Sequence, residues 1–413
     1  MRPHPLSIAT PLLLFGSIAC GGTGTGDDVG DAAPVDAARD ASSPDGGHTA
    51  LQDGGEACEH RAGEYTPRIA MSSTDDWPAC VSDIGTYVRV DPAGVSSIAR
   101  VAAYEQILAP AWGEPPVRGL LFGVDRDPSA DDFLMARTIY EGDQGLGSRV
   151  VRRADEHEPR PANADCRLGA VVESDPRYCV GPTQLAPIVR EAFVAGITGE
   201  GSTPARVHAA RIDAALTWFL FLSIHKESLT CTETARDCDS MWAKYSGGLE
   251  SREGGIGISR QVLALDREAH DRIWDGLLAV RCWRDLDPAP VATMLELRER
   301  ARGQLDRALD RGIALVVIDR LRAMQRATGD AQRAHFEWLR VLLGALPEHT
   351  VPSPDPGAAD ITVPAREALF DRALRARSAE LAVLVAAEMA AESPAEVDVD
   401  AIVNEIEETF ACP

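Results

Sequence analysis

Lysine is nearly absent from this 413-residue chain. Only Lys226 and Lys244 are lysines among the 41 basic residues, and the other 39 are arginines. Together with abundant alanine, glycine, aspartate and proline, this bias is typical of a GC-rich bacterial genome and predicts no arginine-specific chemistry. A basic stripe is also missing, because the formal net charge is −23 and most of it lies in segment 20–57 and after Arg377. We therefore expect no nucleic acid among the partners.

Catalytic signatures are missing as well. No CxxC pair, no G-x-S-x-G elbow and no H-E-x-x-H pattern occurs in the sequence. The glycine-rich segment 254–257 precedes a helical pattern but follows no strand, which predicts a loop and not a nucleotide site. These absences favour a non-enzymatic protein with no bound cofactor.

The first 57 residues predict export. Residues 1–19 pair a cationic start with an apolar run that is too short to span a membrane and ends in small residues, as a secretory signal peptide does. Residues 20–57 are rich in glycine, aspartate and alanine, so they cannot bury enough apolar surface to fold. We expect a signal peptide at 1–19, a disordered tether at 20–57 and a folded domain at 58–413.

Ser17-Ile18-Ala19-Cys20 resembles the lipobox of bacterial lipoproteins, in which the cysteine is acylated and becomes the mature amino terminus. Ser17 stands where that family prefers Leu, Val or Ile, and ordinary signal cleavage would leave Cys20 as a free thiol. Lipidation is favoured because removing Cys20 from the nine cysteines leaves an even set. Gly21-Gly22 then implies outer-membrane sorting, and the tether resembles surface lipoproteins of myxobacteria-like organisms. The expected location is the envelope of a GC-rich Gram-negative bacterium, with the membrane as a partner through the lipid.

The eight remaining cysteines predict disulfides, because exported proteins usually pair their thiols. Their spacing suits closed loops better than zinc sites. The simplest connectivity is sequential and pairs Cys58 with Cys80, Cys166 with Cys179, Cys231 with Cys238, and Cys282 with Cys412.

Apolar periodicity predicts an all-α multi-helix bundle, with possible lobes at 58–187 and 188–413. Pro204–Leu229 includes the nearly unbroken apolar segment Ala214–Ile224, which predicts a buried helix, and Gly303 and Gly312 predict close helix packing. Thr230–Gly257 is expected to be a loop, and only Tyr87–Val90 and Gly119–Val124 favour strands. The other predicted helices are Val95–Trp112, Ala130–Tyr140, Ser148–His157, Ile188–Gly196, Ser259–Leu286, Pro290–Gln325, Ala331–Leu346, Pro364–Glu392 and Val399–Phe410.

Histidines and carboxylates on two of these helices offer one candidate site. His225 and Glu227 end the apolar helix, and His270 and Asp271 lie on the Ser259–Leu286 helix, so antiparallel packing would bring them together as a divalent-metal or acid/base site. The alternative is that His225 and His270 are core histidines with satisfied hydrogen bonds, and this alternative is preferred. The His-x-x-Glu hallmark of the imelysin family, helical periplasmic proteins associated with iron, is absent.

The sequence therefore predicts an envelope-anchored helical lipoprotein that binds a small ligand or another envelope protein. A metal-binding protein or metal-dependent enzyme using His225 and His270 is the alternative.

Overall fold

The computed structural model describes residues 60–68, 77–90, 94–108, 119–121, 127–142, 145–232, 235–289, 291–366 and 378–410. The predicted signal peptide, the tether, Cys20, Cys58 and Cys412 lie outside the described residues.

The described residues form thirteen α-helices and two short strands, which confirms the all-α prediction. The helices are α1 Gly94–Leu108, α2 Ala130–Glu141, α3 Gly147–Val150, α4 Gly169–Ser174, α5 Ala186–Thr198, α6 Ala205–Thr230, α7 Ala235–Ser246, α8 Ile258–Leu265, α9 Arg267–Leu286, α10 Leu295–Arg326, α11 Gly329–Leu343, α12 Ala379–Met389 and α13 Val399–Thr409. The strands are β1 His349–Val351 and β2 Ile361–Val363, and a π-helical turn, Gly181–Leu185, leads into α5.

Helix α6 lies at the centre of the fold, as its apolar sequence predicts. It packs against α5, α7 and α11, while α9 packs along α10. By length and composition α6 is apolar enough to cross a membrane, but it is almost entirely buried among the other helices. Burial on all sides is what a helix without a polar face requires.

A single apolar core includes residues from both predicted lobes, 58–187 and 188–413. Phe133 and Tyr140 from α2 belong to the same buried cluster as Trp218 and Trp338 from α6 and α11. Residues Asp53–Pro413 form a single compact unit. The two possible lobes therefore share their core.

Close approach between α10 and its neighbours depends on glycine at one of the two predicted positions. A Cβ on Gly312 would lie 2.6 Å from Ile273 Cδ1, so this glycine permits tight packing as predicted. Gly303 meets only the flexible end of Arg307 and permits no such contact. At Gly276 of α9 the neighbouring backbone itself is close, because a Cβ would lie 2.7 Å from the Cα atom of Leu305 in α10.

Several helix predictions are wrong in detail. The predicted Ser148–His157 helix is only the short α3, which ends at Val150. The region 230–257 contains α7 and is not a loop throughout. The predicted Ser259–Leu286 helix is two helices, because Asp266 is extended and its side chain caps α9 by accepting from the Ala269 amide at 3.0 Å. This capping interaction satisfies an amide that would otherwise lack a partner at the start of α9.

The predicted strand at Tyr87–Val90 is wrong, and residues 122–124 of the other predicted strand lie outside the described residues. Tyr87–Val90 and the described residues 119–121 form no strand. The strands β1 and β2 pair antiparallel instead, with His349 opposite Val363 and Val351 opposite Ile361. They cover a small second apolar cluster around Val172 and Cys179.

Three disulfides lie among the described residues, and they correct the sequential pairing. Cys166–Cys179 and Cys231–Cys238 confirm two predicted bridges. Cys80 pairs with Cys282 at a Cα–Cα distance of 5.5 Å, so the predicted bridges Cys58–Cys80 and Cys282–Cys412 are wrong. Tertiary packing explains why Cys80 pairs with Cys282, because the segment that carries Cys80 packs on α9 beside Cys282.

Candidate functional site

A group of buried titratable side chains lies at the carboxyl end of α6. The apolar run of α6 ends at Ile224 and is followed by His225, Lys226 and Glu227, of which His225 and Glu227 are buried. Segment 150–157 and helices α7 and α10 contribute further polar side chains. We call this group the polar centre, comprising His157, His225, Asp155, Asp306, Glu227, Lys226, Lys244 and Arg153.

Two stacked imidazoles form one half of the polar centre. The rings of His157 and His225 have centroids 3.9 Å apart and planes inclined by 16°. His157 Nδ1 lies 2.8 Å from Asp155 Oδ1, and His225 Nδ1 lies 2.9 Å from Asp306 Oδ1. Because an ionised carboxylate only accepts, each imidazole donates through Nδ1. Neither Nε2 atom hydrogen bonds to a described residue, so both remain available for a proton or a ligand.

The backbone of segment 150–157 is held against the turn that precedes α5. The Gly181 amide donates to the Arg153 carbonyl at 2.7 Å, and the Asp155 amide donates to the Tyr178 carbonyl at 2.7 Å. Any Cβ at position 181 would overlap the Val150 carbonyl and the Arg153 amide. Glycine at this position therefore places Arg153 and His157 over the side of α6.

Carboxylates favour a proton on His157. Burial lowers the pKa of His157, but the hydrogen bond and charge of Asp155, together with Asp306 and Asp310, outweigh burial and raise this pKa above its usual 6.5. The His157 and His225 side chains keep 20% and 10% of their surface exposed. Protons can therefore exchange between this pair and solvent.

Glu227 is the centre of the other half. Lys244 Nζ lies 3.1 Å from Glu227 Oε1, and Lys226 Nζ lies 3.5 Å from Oε2. Burial alone would raise the pKa of Glu227, but Lys244, Lys226 and Arg153 bring it down to about 2. Burial lowers the pKa of Lys244 to about 8, and the positive charges of Arg153 and Arg100 act in the same direction.

Arginines from two further elements approach this lysine–glutamate group. The Arg153 guanidinium lies over the Phe219 ring of α6 at 5.1 Å from its centroid. Burial, opposed by Glu227 and reinforced by Arg149 and Arg152, lowers the pKa of Arg153. Burial and the same neighbouring arginines lower the pKa of Arg100 in α1 to about 10.

The predicted four-residue metal site is not assembled. Among the described residues, no group of three or more His, Cys, Asp or Glu side chains is arranged to hold a metal ion. His270 is fully buried, with Nδ1 2.9 Å from the Tyr245 hydroxyl and Nε2 3.1 Å from the Arg252 carbonyl. Asp271 faces Arg252 and Arg267 at 3.6 Å and 3.8 Å. The structure therefore keeps His225 and Glu227 in one group and gives His270 and Asp271 separate partners.

Sequence reasoning missed most of the polar centre. Asp155 and His157 lie in a segment expected to be helical, and Lys244 lies in the predicted loop, so no periodic pattern joined them to His225. The rarity of lysine was a sequence feature that could have indicated this site, because the two lysines of this arginine-rich chain both contact Glu227.

A second buried polar network lies deeper in the bundle and has its hydrogen bonds satisfied. Asp213 of α6 accepts from Tyr104 at 3.2 Å, from Thr217 at 3.3 Å and from Arg320 at 3.0 Å. Gln261 donates to the Tyr104 hydroxyl at 2.9 Å. Such a connected network fixes the register of packed helices and leaves no group for a ligand.

No protein-family model, curated protein or solved structure matches this chain. The class of protein that the structure shows is thus a disulfide-linked helical bundle with a titratable polar centre.

Proposed function

We propose that this chain is an exported, lipid-anchored helical protein that binds a small polar ligand at the polar centre. The observation that carries the binding role is the burial of several charged groups from four separate elements at the end of an otherwise apolar helix. Burying charge is costly unless partners compensate it. Clusters of perturbed titratable groups occur preferentially at functional sites.

Export is supported by the disulfides. Three bridges lie among the described residues, and such bridges persist in oxidising compartments. The lipid on Cys20 and the outer membrane of a GC-rich Gram-negative bacterium are proposed from the lipobox resemblance. With this anchor, the membrane is one partner and the small ligand the other.

Fractionation of cells that produce the Cys20→Ala variant tests the anchor. The wild-type protein should sediment with membranes, and the variant should appear in the soluble envelope fraction with its disulfides formed. Retention of the variant in the membrane fraction would contradict lipid anchoring.

A panel of anionic, neutral and cationic small molecules tests the binding role through the melting temperature. A ligand of the polar centre should raise the melting temperature of the wild type and of Arg137→Gln, whose arginine pairs with Glu141 on the surface of α2. It should raise that of Arg153→Gln much less. If every molecule of the panel changed the melting temperature of all three proteins by the same amount, the proposal would be contradicted.

A divalent metal at the histidine pair is the second candidate. Metal-binding histidines usually carry a carboxylate on the nitrogen opposite the metal, and both His157 and His225 have this arrangement. Metal analysis of the purified protein distinguishes the two functions. Stoichiometric metal that is lost in folded His157→Gln would favour the second candidate.

A further inference from the structure

The two lysines of this chain lie at the same place in the fold. The two lysines among 41 basic residues contact the two oxygens of a single buried carboxylate, Glu227. A guanidinium would bind a carboxylate through two parallel hydrogen bonds, whereas an ammonium is a compact charge with three separate donors. Lysine at both positions therefore occupies less volume and leaves donors directed away from Glu227.

The donors of Lys244 illustrate this point. Its ammonium donates to Glu227 Oε1 at 3.1 Å and contacts Ser97 Oγ at 3.4 Å. An ammonium carries three protons. The third proton has no acceptor within the described part of the chain.

Positive charge exceeds negative charge around Glu227. Lys226, Lys244 and Arg153 act directly on Glu227, and Arg149 acts on Arg153, so these four cations face the two carboxylates of Glu227 and Asp237, which lies 3.9 Å from Lys226. Further out, Arg152 adds another positive charge, while Glu156 and Asp165 act on Arg153 and Arg152 as negative charges. The chain as a whole carries a formal net charge of −23, so this local excess has the opposite sign to the net charge of the chain.

Two of these cations also hold buried donors without acceptors. The Nε–H groups of Arg149 and Arg153 are buried and have no hydrogen-bond partner among the described residues. The Phe219 ring beneath Arg153 offers a cation–π contact but no lone pair. A buried donor that stays unpaired destabilises the fold, so an acceptor from outside the chain would stabilise both groups.

We propose that the Glu227 half of the polar centre is an oxyanion site. It binds a phosphate, sulfate or carboxylate group of a small ligand, with Arg149, Arg153 and Lys244 as the donors. Glu227 holds the two ammonium groups in place and offsets part of the positive charge around it. Charge-assisted hydrogen bonds from guanidinium and ammonium groups to such oxygens are the strongest that side chains make. This inference rests on the proposed binding role and names the ligand class.

Isothermal titration calorimetry on the full exported protein, with its disulfides intact, tests the site. Inorganic phosphate, sulfate and acetate serve as separate probes in a chloride-free buffer of low ionic strength. We expect one equivalent of at least one probe to bind. The probe that binds best shows whether a tetrahedral oxyanion or a carboxylate is the recognised group.

Matched variants assign the binding to these residues. Arg149 is only partly buried, so Arg149→Gln should fold and should weaken binding at least tenfold. Arg137→Gln makes the same change of charge at an exposed position and should bind as the wild type does. Absence of binding for all three probes, or equal loss in both variants, would overturn the oxyanion site.

The same titrations separate this inference from the proposed function. If a neutral or cationic molecule of the thermal panel binds at the polar centre while the three anions do not, the oxyanion site is wrong and the binding role stands. If no molecule of any charge binds, both are wrong.

Discussion

Lys244 and Lys226 contact the same carboxylate but differ in burial, so their removal should have different costs. The Lys244 side chain is 3% exposed and that of Lys226 is 28% exposed. Removing one partner of a buried pair leaves an uncompensated charge, which costs about 3–5 kcal/mol. An exposed partner contributes about 0–1 kcal/mol.

We therefore predict that Lys244→Met lowers the free energy of unfolding by several kcal/mol and that Lys226→Met lowers it by about 1 kcal/mol or less. Urea denaturation under non-oxidising, non-reducing conditions, with the disulfides kept intact, measures both values. Equal losses in the two variants would show that burial does not make Lys244 the more important partner of Glu227.

His157 should make stability depend on pH near neutrality. His157 has a raised pKa in the folded protein, so folding favours its protonated form. Its contribution is fully present below the unfolded pKa of about 6.5 and is lost as the pH rises through the folded pKa. Asp155, Asp306, Asp310 and His225 face this imidazole and set the size of the effect.

The difference in unfolding free energy between wild type and His157→Gln should shrink as the pH rises from 6 to 8. Comparing the two proteins at each pH removes the contributions of other titrating groups. A difference that stays constant over this range would mean that His157 keeps the same charge in the folded and unfolded chains.

The close packing of helices α9 and α10 requires glycine at position 276 but not at position 303. A Cβ at Gly276 would press on the Leu305 backbone, whereas at Gly303 it would meet only the end of the Arg307 side chain. Overpacking a tight contact costs about 1–3 kcal/mol. In a helix interior, alanine is otherwise favoured over glycine by about 0.5–1 kcal/mol.

Gly276→Ala should therefore lower the melting temperature, while Gly303→Ala should leave it unchanged or raise it. Circular dichroism melts of the two variants check this, and both should retain the helical signal of the wild type. Destabilisation by Gly303→Ala of the same size would mean that the α9–α10 interface extends further along α10 than the contacts show.

Long apolar periodicity made α6 and α10 predictable, because a buried face many turns long leaves a clear pattern. Helix α7 was missed because it interleaves its apolar Met241, Trp242 and Tyr245 with polar residues such as Lys244, which the structure also buries. The strands β1 and β2 have three residues each, too few for alternation to show.

The polar centre could be predicted only in part, for a related reason. His225 and Glu227 stand out at the end of an apolar helix, but their partners come from segments distant in sequence. Asp306 is one polar residue among many on α10, and Cys80 gives no local sign that it meets Cys282. Contacts between remote segments are set by packing, which a single sequence does not display.

For the whole molecule, the Cys80–Cys282 bridge should matter most among the three described bridges. It closes a loop with a sequence separation of 202, against 7 for Cys231–Cys238. In the chain-entropy model, the first closure stabilises the fold by about 5 kcal/mol and the second by about 2–3 kcal/mol.

The paired variant Cys80→Ala/Cys282→Ala should thus lose about twice as much stability as Cys231→Ala/Cys238→Ala. Thermal unfolding under non-reducing conditions gives the comparison, and peptide mapping without reduction verifies the remaining bridges. A larger loss from the short loop would show that packing around the bridges outweighs loop closure.

Binding of a small envelope ligand at the polar centre can be measured directly on its two lysines. Lys226 and Lys244 are the only lysines in the chain. Mass spectrometry of their peptides gives the rate at which each lysine is acetylated, and a ligand bound at the polar centre should slow this reaction. We predict that small molecules extracted from the periplasm slow acetylation of Lys226 in the folded protein and have no effect on the unfolded chain. An acetylation rate that the extract leaves unchanged in the folded protein would contradict the claim.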